Sequence, residues 1–366
     1  MAPAHASVRD DASNDRAKAR TFHHSAFTPE RIAAARAQRG LSVSVCLPAR
    51  ECADTVGEIV GALSALREAR ALDRIVVVDA ASPDGTAQLA AQAGAEVWQQ
   101  DELLASFGPA LGKGDAMWRA LSALDSDVVC FMDADTQRFS AHFATGLIGP
   151  LVCEPDVSFV KGFYRRPLTG AGAEPAEVGD GAERATANGG SNGGSPRADE
   201  GGRVNHLTAR PALALFYPQL AQIRQPLAGE VAARRELLER LAFATGYGVE
   251  IAMLIDAWRA VGIEQIAQVD LDEHRNRHQP LSALAPMALT VLATIAGRLQ
   301  QEGRLAPDGA AEALAPRERP PLASVAELAG NRGAGDPTAS RGDADPSSSR
   351  DGDGDRARIG EPGRRA

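Results

Sequence analysis

Between residues 41 and 167 the chain alternates short apolar runs of strand type with longer segments of helical spacing, and no other feature restricts its fold as strongly. The runs are "LSVSVCLPAR" (41–50), "DRIVVVDAASPDGT" (73–86), "SDVVCFMDAD" (126–135) and "VSFVKGFYRRP" (157–167). "ADTVGEIVGALSALREAR", "TAQLAAQAG" and "GKGDAMWRALSAL" lie between them. Apolar runs too short to be helices, separated by helical stretches, predict βαβ units: an α/β fold with a mostly parallel sheet and helices on both faces. Ligands on such sheets bind at the C-terminal strand ends. Pro48, Asp79 and Asp133 each fall at such an end.

The flanks read differently. Residues 1–40 are expected to be a loosely held N-terminal arm carrying one short helix at "TPERIAAARAQRG" (28–40), capped by Thr28 and stopped by Gly40. Residues 168–200 are rich in Gly, Ala, Ser and Glu and poor in large apolar groups, the composition of a mobile or disordered insert. Residues 201–304 are expected to form a mainly helical half, in which "IEQIAQVDLDEHRNR" (263–277) reads as a strand entering a polar loop. Residues 305–366 are expected to be a largely disordered tail. The stretch "MALTVLATIAG" (287–297) is shorter than the roughly 20 residues of a membrane span, so a cytoplasmic protein without a membrane partner is expected. A net charge of -9 excludes a general nucleic-acid binder, which needs a basic surface. Cys46, Cys52, Cys130 and Cys153 form no C-x-x-C pair and read as free thiols.

Candidate chemistry gathers in a few stretches. In "CFMDADTQRFS" (130–140), Asp133 and Asp135 leave a strand two residues apart, so extended backbone projects both to one side. Two carboxylates so placed suit a hard divalent cation that neutralises a departing diphosphate; a solvated strand end is the competing reading. In "GPALGKGDAMW" (108–118), Gly112 and Gly114 flank Lys113 before a helix, an arrangement that suits a phosphate or simply an exposed turn. "GGRVNHLTARP" (201–211) places Gly202 and Arg203 at a predicted helix start, either an anion cradle or a flexible turn. "EHRNRHQP" (273–280) offers His274 as a metal ligand beside Asn276, or else a basic loop. Tyr247 and Glu250 open a helix in "FATGYGVEIAML" (243–254), where an acid is favourable to the helix dipole whatever its function.

Taken in order, "GPALGKGDAMWRAL", "DAD", "VKGFYRRP", "GRVNHLTARP", "QPLAGE", "GYGVEIAMLID" and "HRNR" resemble the glucosyl-3-phosphoglycerate synthases over about residues 41–300. That resemblance implies a retaining hexosyltransferase of the GT-A nucleotide-diphospho-sugar fold. It would move glucose from UDP-glucose to the 2-hydroxyl of 3-phosphoglycerate with Mg²⁺, Mn²⁺ or Co²⁺, as a homodimer serving compatible-solute synthesis. It also implies roles. Pro48, Ala49 and Lys113 would hold uridine and pyrophosphate, with Asp133 on the nucleotide. Asp135 and His274 would hold the metal. Tyr247 and Glu250 would line the donor sugar and acceptor, with Glu250 and Asp135 at the reaction centre. Gly202, Arg203, Asn205 and Asn276 would cradle the acceptor. Departures from the family pattern fall at Arg50-Glu51-Cys52, at Asp79-Ala80-Ala81-Ser82 and at Asn205. The first two touch the donor side, so the alternative is mannosyl transfer from GDP-mannose, or a donor-promiscuous relative.

Overall fold

The computed structural model describes residues 17–166, 202–274, 281–306, 314 and 316–325. Its first half runs β1 (Arg20–His23), α1 (Pro29–Arg39), β2 (Val43–Ala49), α2 (Val56–Glu68), β3 (Arg74–Asp79), α3 (Thr86–Gln92), β4 (Glu96–Gln99), α4 (Lys113–Ala123), β5 (Val128–Phe131), α5 (His142–Cys153) and β6 (Phe159–Arg165). There follow α6 (Arg210–Phe216), β7 (Val231–Arg234), α7 (Arg235–Leu238), β8 (Phe243–Ala244), α8 (Val249–Val261), β9 (Ile266–Glu273), α9 (Leu281–Gln301) and β10 (Glu318–Arg319). One sheet of eight strands, ordered β1-β9-β6-β7-β5-β2-β3-β4, organises the molecule.

The central strands are buried on both faces, which is why they read as continuous apolar runs. Period-two alternation divides them between two cores. Cys46, Val76, Val78, Val129 and Phe131 face one layer with α4 and α8. Val45, Leu47, Val77 and Cys130 face the other with α2 and α5. All four cysteines are free thiols, three of them buried. The first turn of α4 rests directly on the Ala244 carbonyl; a Cβ on Gly114 would lie 1.9 Å from that oxygen. Only glycine permits this approach, and it sets Lys113 beside Glu250 in the first turn of α8 and the turn before it that carries Tyr247.

β7 departs from the parallel rule. It runs antiparallel to both β5 and β6. Its N-terminal end therefore lies at the edge where β5 and β6 end, and Glu230, just before it, arrives beside the residues leaving those strands. The segment "EVAAR" that builds it (230–234) is alanine-rich and short, so propensity does not mark it as a strand. The mainly helical half expected over 201–304 thus also supplies β7 and β9 to the central sheet.

Three further expectations need correcting. The arm is not loose over its described part: β1 pairs parallel with β9, and α1 packs on α5. His23 and His24 bracket Asp272 of β9, with His24 Nε2 2.7 Å from Oδ2 and His23 Nε2 3.4 Å from Oδ1. These three donors lie within 4.8 Å of one another. His23 Nδ1, however, accepts the Ser25 N–H, which leaves its proton on Nε2 toward Asp272; the cluster is a clamp between strands. Within the expected tail, 316–325 pack. β10 pairs with β8, Leu322 is buried, and Trp118 Nε1 donates to the Pro320 carbonyl at 2.8 Å. Lastly, Ser282–Gln301 in α9 is long and apolar enough to cross a membrane by length and composition. The stretch read from the sequence (287–297) stops just before Arg298, which is buried and ion-paired with Asp256 and Glu318. The insert over 168–200 and Asn276 lie outside the described residues.

Candidate active site

Among the described residues, a larger and a smaller cavity on the strand-end edge hold the candidate residues. The larger, about 430 Å³, is lined by Pro48, Ala49, Lys113, Asp133, Asp135 and Tyr247, so six of the sequence-predicted residues meet in one cleft. Arg50, Cys52 and Ala80 also line it, and these are the positions where the sequence departs from the family pattern. Tyr247 stands at the rim with 62% of its surface exposed.

Lys113 is the electrostatic pivot of this cleft. Its ammonium donates to Asp133 Oδ1 at 2.5 Å and to Glu250 Oε1 at 2.9 Å. Burial works against its charge, but the two carboxylates outweigh burial and hold its pKa well above the usual lysine value. Glu250, which opens α8, is thus engaged in an ion pair. Asp133 packs flat on Gly229: a Cβ there would lie 2.3 Å from Asp133 Oδ2. Gly229→Ala is therefore expected to displace the Asp133 carboxylate and lower kcat/KM about 10²-fold, with activity within about twofold of wild type refuting the contact in a steady-state assay.

Asp135 sits at the mouth, exposed to solvent. Partial removal from water and the Asp133 charge raise its pKa, with Glu230 adding and Lys113 and His274 opposing. His274, just past β9, is buried. Its Nε2 lies 3.0 Å from Glu230 Oε1 and 3.1 Å from Thr136 Oγ1. The Thr136 hydroxyl donates to the Asp133 carbonyl, so toward His274 it accepts; the imidazole proton belongs on Nε2. Nδ1 is buried and has no partner among the described residues. A histidine held on one nitrogen by a hydroxyl with a carboxylate close beside it, and with the other lone pair free, is oriented as metal-ligating histidines are. Together with the crowded carboxylate of Asp135, that orphaned nitrogen fits a divalent cation by donor chemistry.

The smaller cavity, about 150 Å³, is lined by Gly202, Arg203, Asn205, Tyr164, Arg166 and Gln225, among others. Gly202 has φ +79°, a left-handed turn that leads into the helix. Asn205 lies in one turn of π-helix, a distortion often found at functional sites. Its amide is already engaged: Nδ2 donates to Arg224 O at 3.2 Å and Oδ1 accepts from Leu227 N–H at 3.5 Å. It therefore shapes the wall as much as it offers donors to a ligand.

Sequence reasoning assigned no role to Tyr164, Arg166, Glu230 or Thr136. Glu230 is fully buried. Burial pushes its carboxyl up, but His274, Arg166 and the Tyr164 hydroxyl outweigh that and hold it well below the usual range. These residues converge only because β7 is inserted between β5 and β6, and because the β6–β9 register slips between Phe163 and Arg165. A slip of that kind re-aims the side chain it contains, here Tyr164. The stretches "FYRR" and "QPLAGE" belong to the family pattern, and that is the signal that marked them.

Residues 44–165 match glycosyl transferase family 2. The chain is 38% identical over 289 residues to glucosyl-3-phosphoglycerate synthase of Petrotoga mobilis, covering 78% of this chain and 82% of that one. Among solved structures, mannosyl-3-phosphoglycerate synthase from Rubrobacter xylanophilus is similar with a TM-score of 0.71 and 42% identity, over 83% of this chain and 94% of that one. Glucosyl-3-phosphoglycerate synthase from Mycobacterium tuberculosis, in complex with Mn²⁺, UDP-glucose and phosphoglyceric acid, is similar with a TM-score of 0.68 and 33% identity, over 84% and 99%.

Proposed function

The chain belongs to the glucosyl-3-phosphoglycerate synthases, and from that membership we propose that it moves glucose from UDP-glucose to the 2-hydroxyl of 3-phosphoglycerate, with retention, releasing UDP. One observation carries the reading: a nucleotide-sized cleft and a smaller basic cavity open on the same strand-end edge, with Asp133, Asp135 and His274 beside them. Pro48, Ala49 and Tyr247 wall the nucleotide side. Lys113 supplies positive charge to the diphosphate and keeps Asp133 and Glu250 in place. Asp135 and His274 Nδ1 would hold Mg²⁺, Mn²⁺ or Co²⁺, which when bound neutralises charge developing on the departing UDP. Arg203 and the Gly202 turn receive the acceptor anion. A cytoplasmic homodimer goes with this reading. Leu289 and Leu292 are exposed on α9, and sedimentation of the purified chain tests the dimer.

A second reading, mannosyl transfer from GDP-mannose, is favoured by the 42% identity to the Rubrobacter enzyme and by Arg50 and Ala80 in the wall of the donor cleft. A donor panel of UDP-glucose, GDP-glucose and GDP-mannose against 3-phosphoglycerate, read by product mass, decides between them. UDP-glucose is expected to support the fastest transfer. A preference for GDP-mannose replaces the first reading with the second, and transfer from none of the three ends both.

A further inference from the structure

Two hydrogen bonds and one close charge contact join the smaller cavity to His274. Arg166, which lines that cavity, donates from Nη2 to the Tyr164 hydroxyl at 2.9 Å. The Tyr164 hydroxyl donates to Glu230 Oε2 at 2.8 Å. The other oxygen of Glu230 lies 3.0 Å from His274 Nε2. Tyr164 also stacks on His274, with ring centroids 4.3 Å apart. Tyr164, Glu230 and His274 are all buried, so the links among these three do not compete with bulk water. Arg166 carries one loose end: its Nε is buried and has no hydrogen-bond partner among the described residues.

We infer that Tyr164 and Glu230 are positioning residues that couple acceptor binding at Arg166 to metal affinity at His274. This rests on the functional reading above, which places the acceptor in the smaller cavity. The sign follows from the chemistry of the links. Without an acceptor, Arg166 donates to Tyr164, which strengthens the phenol as a donor to Glu230, since hydrogen bonds in a chain polarise one another. Glu230 then has less charge to offer His274. An acceptor phosphate or carboxylate on Arg166 draws the guanidinium's charge toward itself. Tyr164 becomes a weaker donor, Glu230 keeps more negative charge beside the His274 ring, and Nδ1 becomes a stronger ligand. The acceptor therefore tightens the metal, and by linkage the metal tightens the acceptor by the same factor.

The test measures Mn²⁺ affinity from the free-ion EPR signal of the full chain with UDP bound, with and without 3-phosphoglycerate. In wild type the acceptor is expected to lower the Mn²⁺ Kd about fivefold, near the lower end of known couplings. Tyr164→Phe is expected to bind Mn²⁺ without acceptor about as tightly as wild type does with it, and to show no further tightening when acceptor binds. Arg166→Gln interrupts the chain at its other end and is expected to lose the coupling too. An anion acting on the metal directly through space would leave the fivefold effect intact in Tyr164→Phe, and that result overturns the relay. Acceptor binding to wild type with no change in Mn²⁺ affinity overturns it as well. If wild type fails to bind 3-phosphoglycerate at all, the functional reading falls, and the relay with it.

Discussion

Asp135→Ala is expected to lower kcat about 10³-fold, the scale on which a single group stabilising developing charge contributes, while leaving the fold intact. The two halves of this expectation have separate causes. Asp135 is exposed at the mouth of the larger cleft and lies past the end of β5, so no core contact is removed. Surface changes of this kind usually alter stability by less than about 0.5 kcal/mol. Its carboxyl pKa is raised first by partial removal from water and then by the Asp133 charge, with Glu230 adding and Lys113 and His274 opposing. Removing it relieves these costs, so thermal stability of the metal-free protein should hold or rise slightly. Activity should fall because His274 alone is left to hold the cation. The measurement is kcat with saturating donor and acceptor across a Mn²⁺ titration, alongside a melting curve. Full activity in Asp135→Ala ends the metal-site reading. A lower Tm with the activity loss would point to a structural role for Asp135.

Asp135 also shows how far the sequence alone reaches. Its place at a strand end followed from the alternation of runs, and the parallel strands β2, β3 and β5 lie where their valine-rich runs predicted. The donor cleft was legible because Pro48, Ala80 and Asp133 leave the C-terminal ends of parallel strands β2, β3 and β5, which pair side by side. The metal ligand's support was not. Glu230 reaches His274 through an antiparallel strand inserted out of sequence order, and Tyr164 through a slipped register beside β9. Neither the order of strands in a sheet nor a slip in register leaves a periodic trace. The same holds for 316–325, which dock on Trp118 through one carbonyl and two buried apolar side chains, Leu322 and Val325. Low hydrophobicity of the surrounding tail hid a short segment that docks on residues far away in the chain.

Lys113→Met is expected to be the most damaging single change in the cleft, because it acts on stability and chemistry at once. The ammonium is held by Asp133 and Glu250 together, and no more than about a quarter of any of the three side chains is exposed. Deleting one partner of a poorly hydrated ion pair costs more than the pair contributes, since the remaining charges lose their compensation. Here two carboxylates are left facing each other, and a loss of about 2 kcal/mol in urea unfolding is expected. Transfer should fall about 10³-fold, since the diphosphate loses its cationic partner in the same step. The double variant Lys113→Met/Glu250→Gln separates these effects. Removing one of the stranded charges should recover much of the lost stability, a non-additivity expected of residues in direct contact. It should recover none of the activity, because nothing in the double variant restores positive charge at the diphosphate. Activity returning with stability would make Lys113 a mere strut for Asp133 and Glu250. Stability that fails to return would mean that the two carboxylates find other partners, and that Lys113 is not the pivot of the cleft.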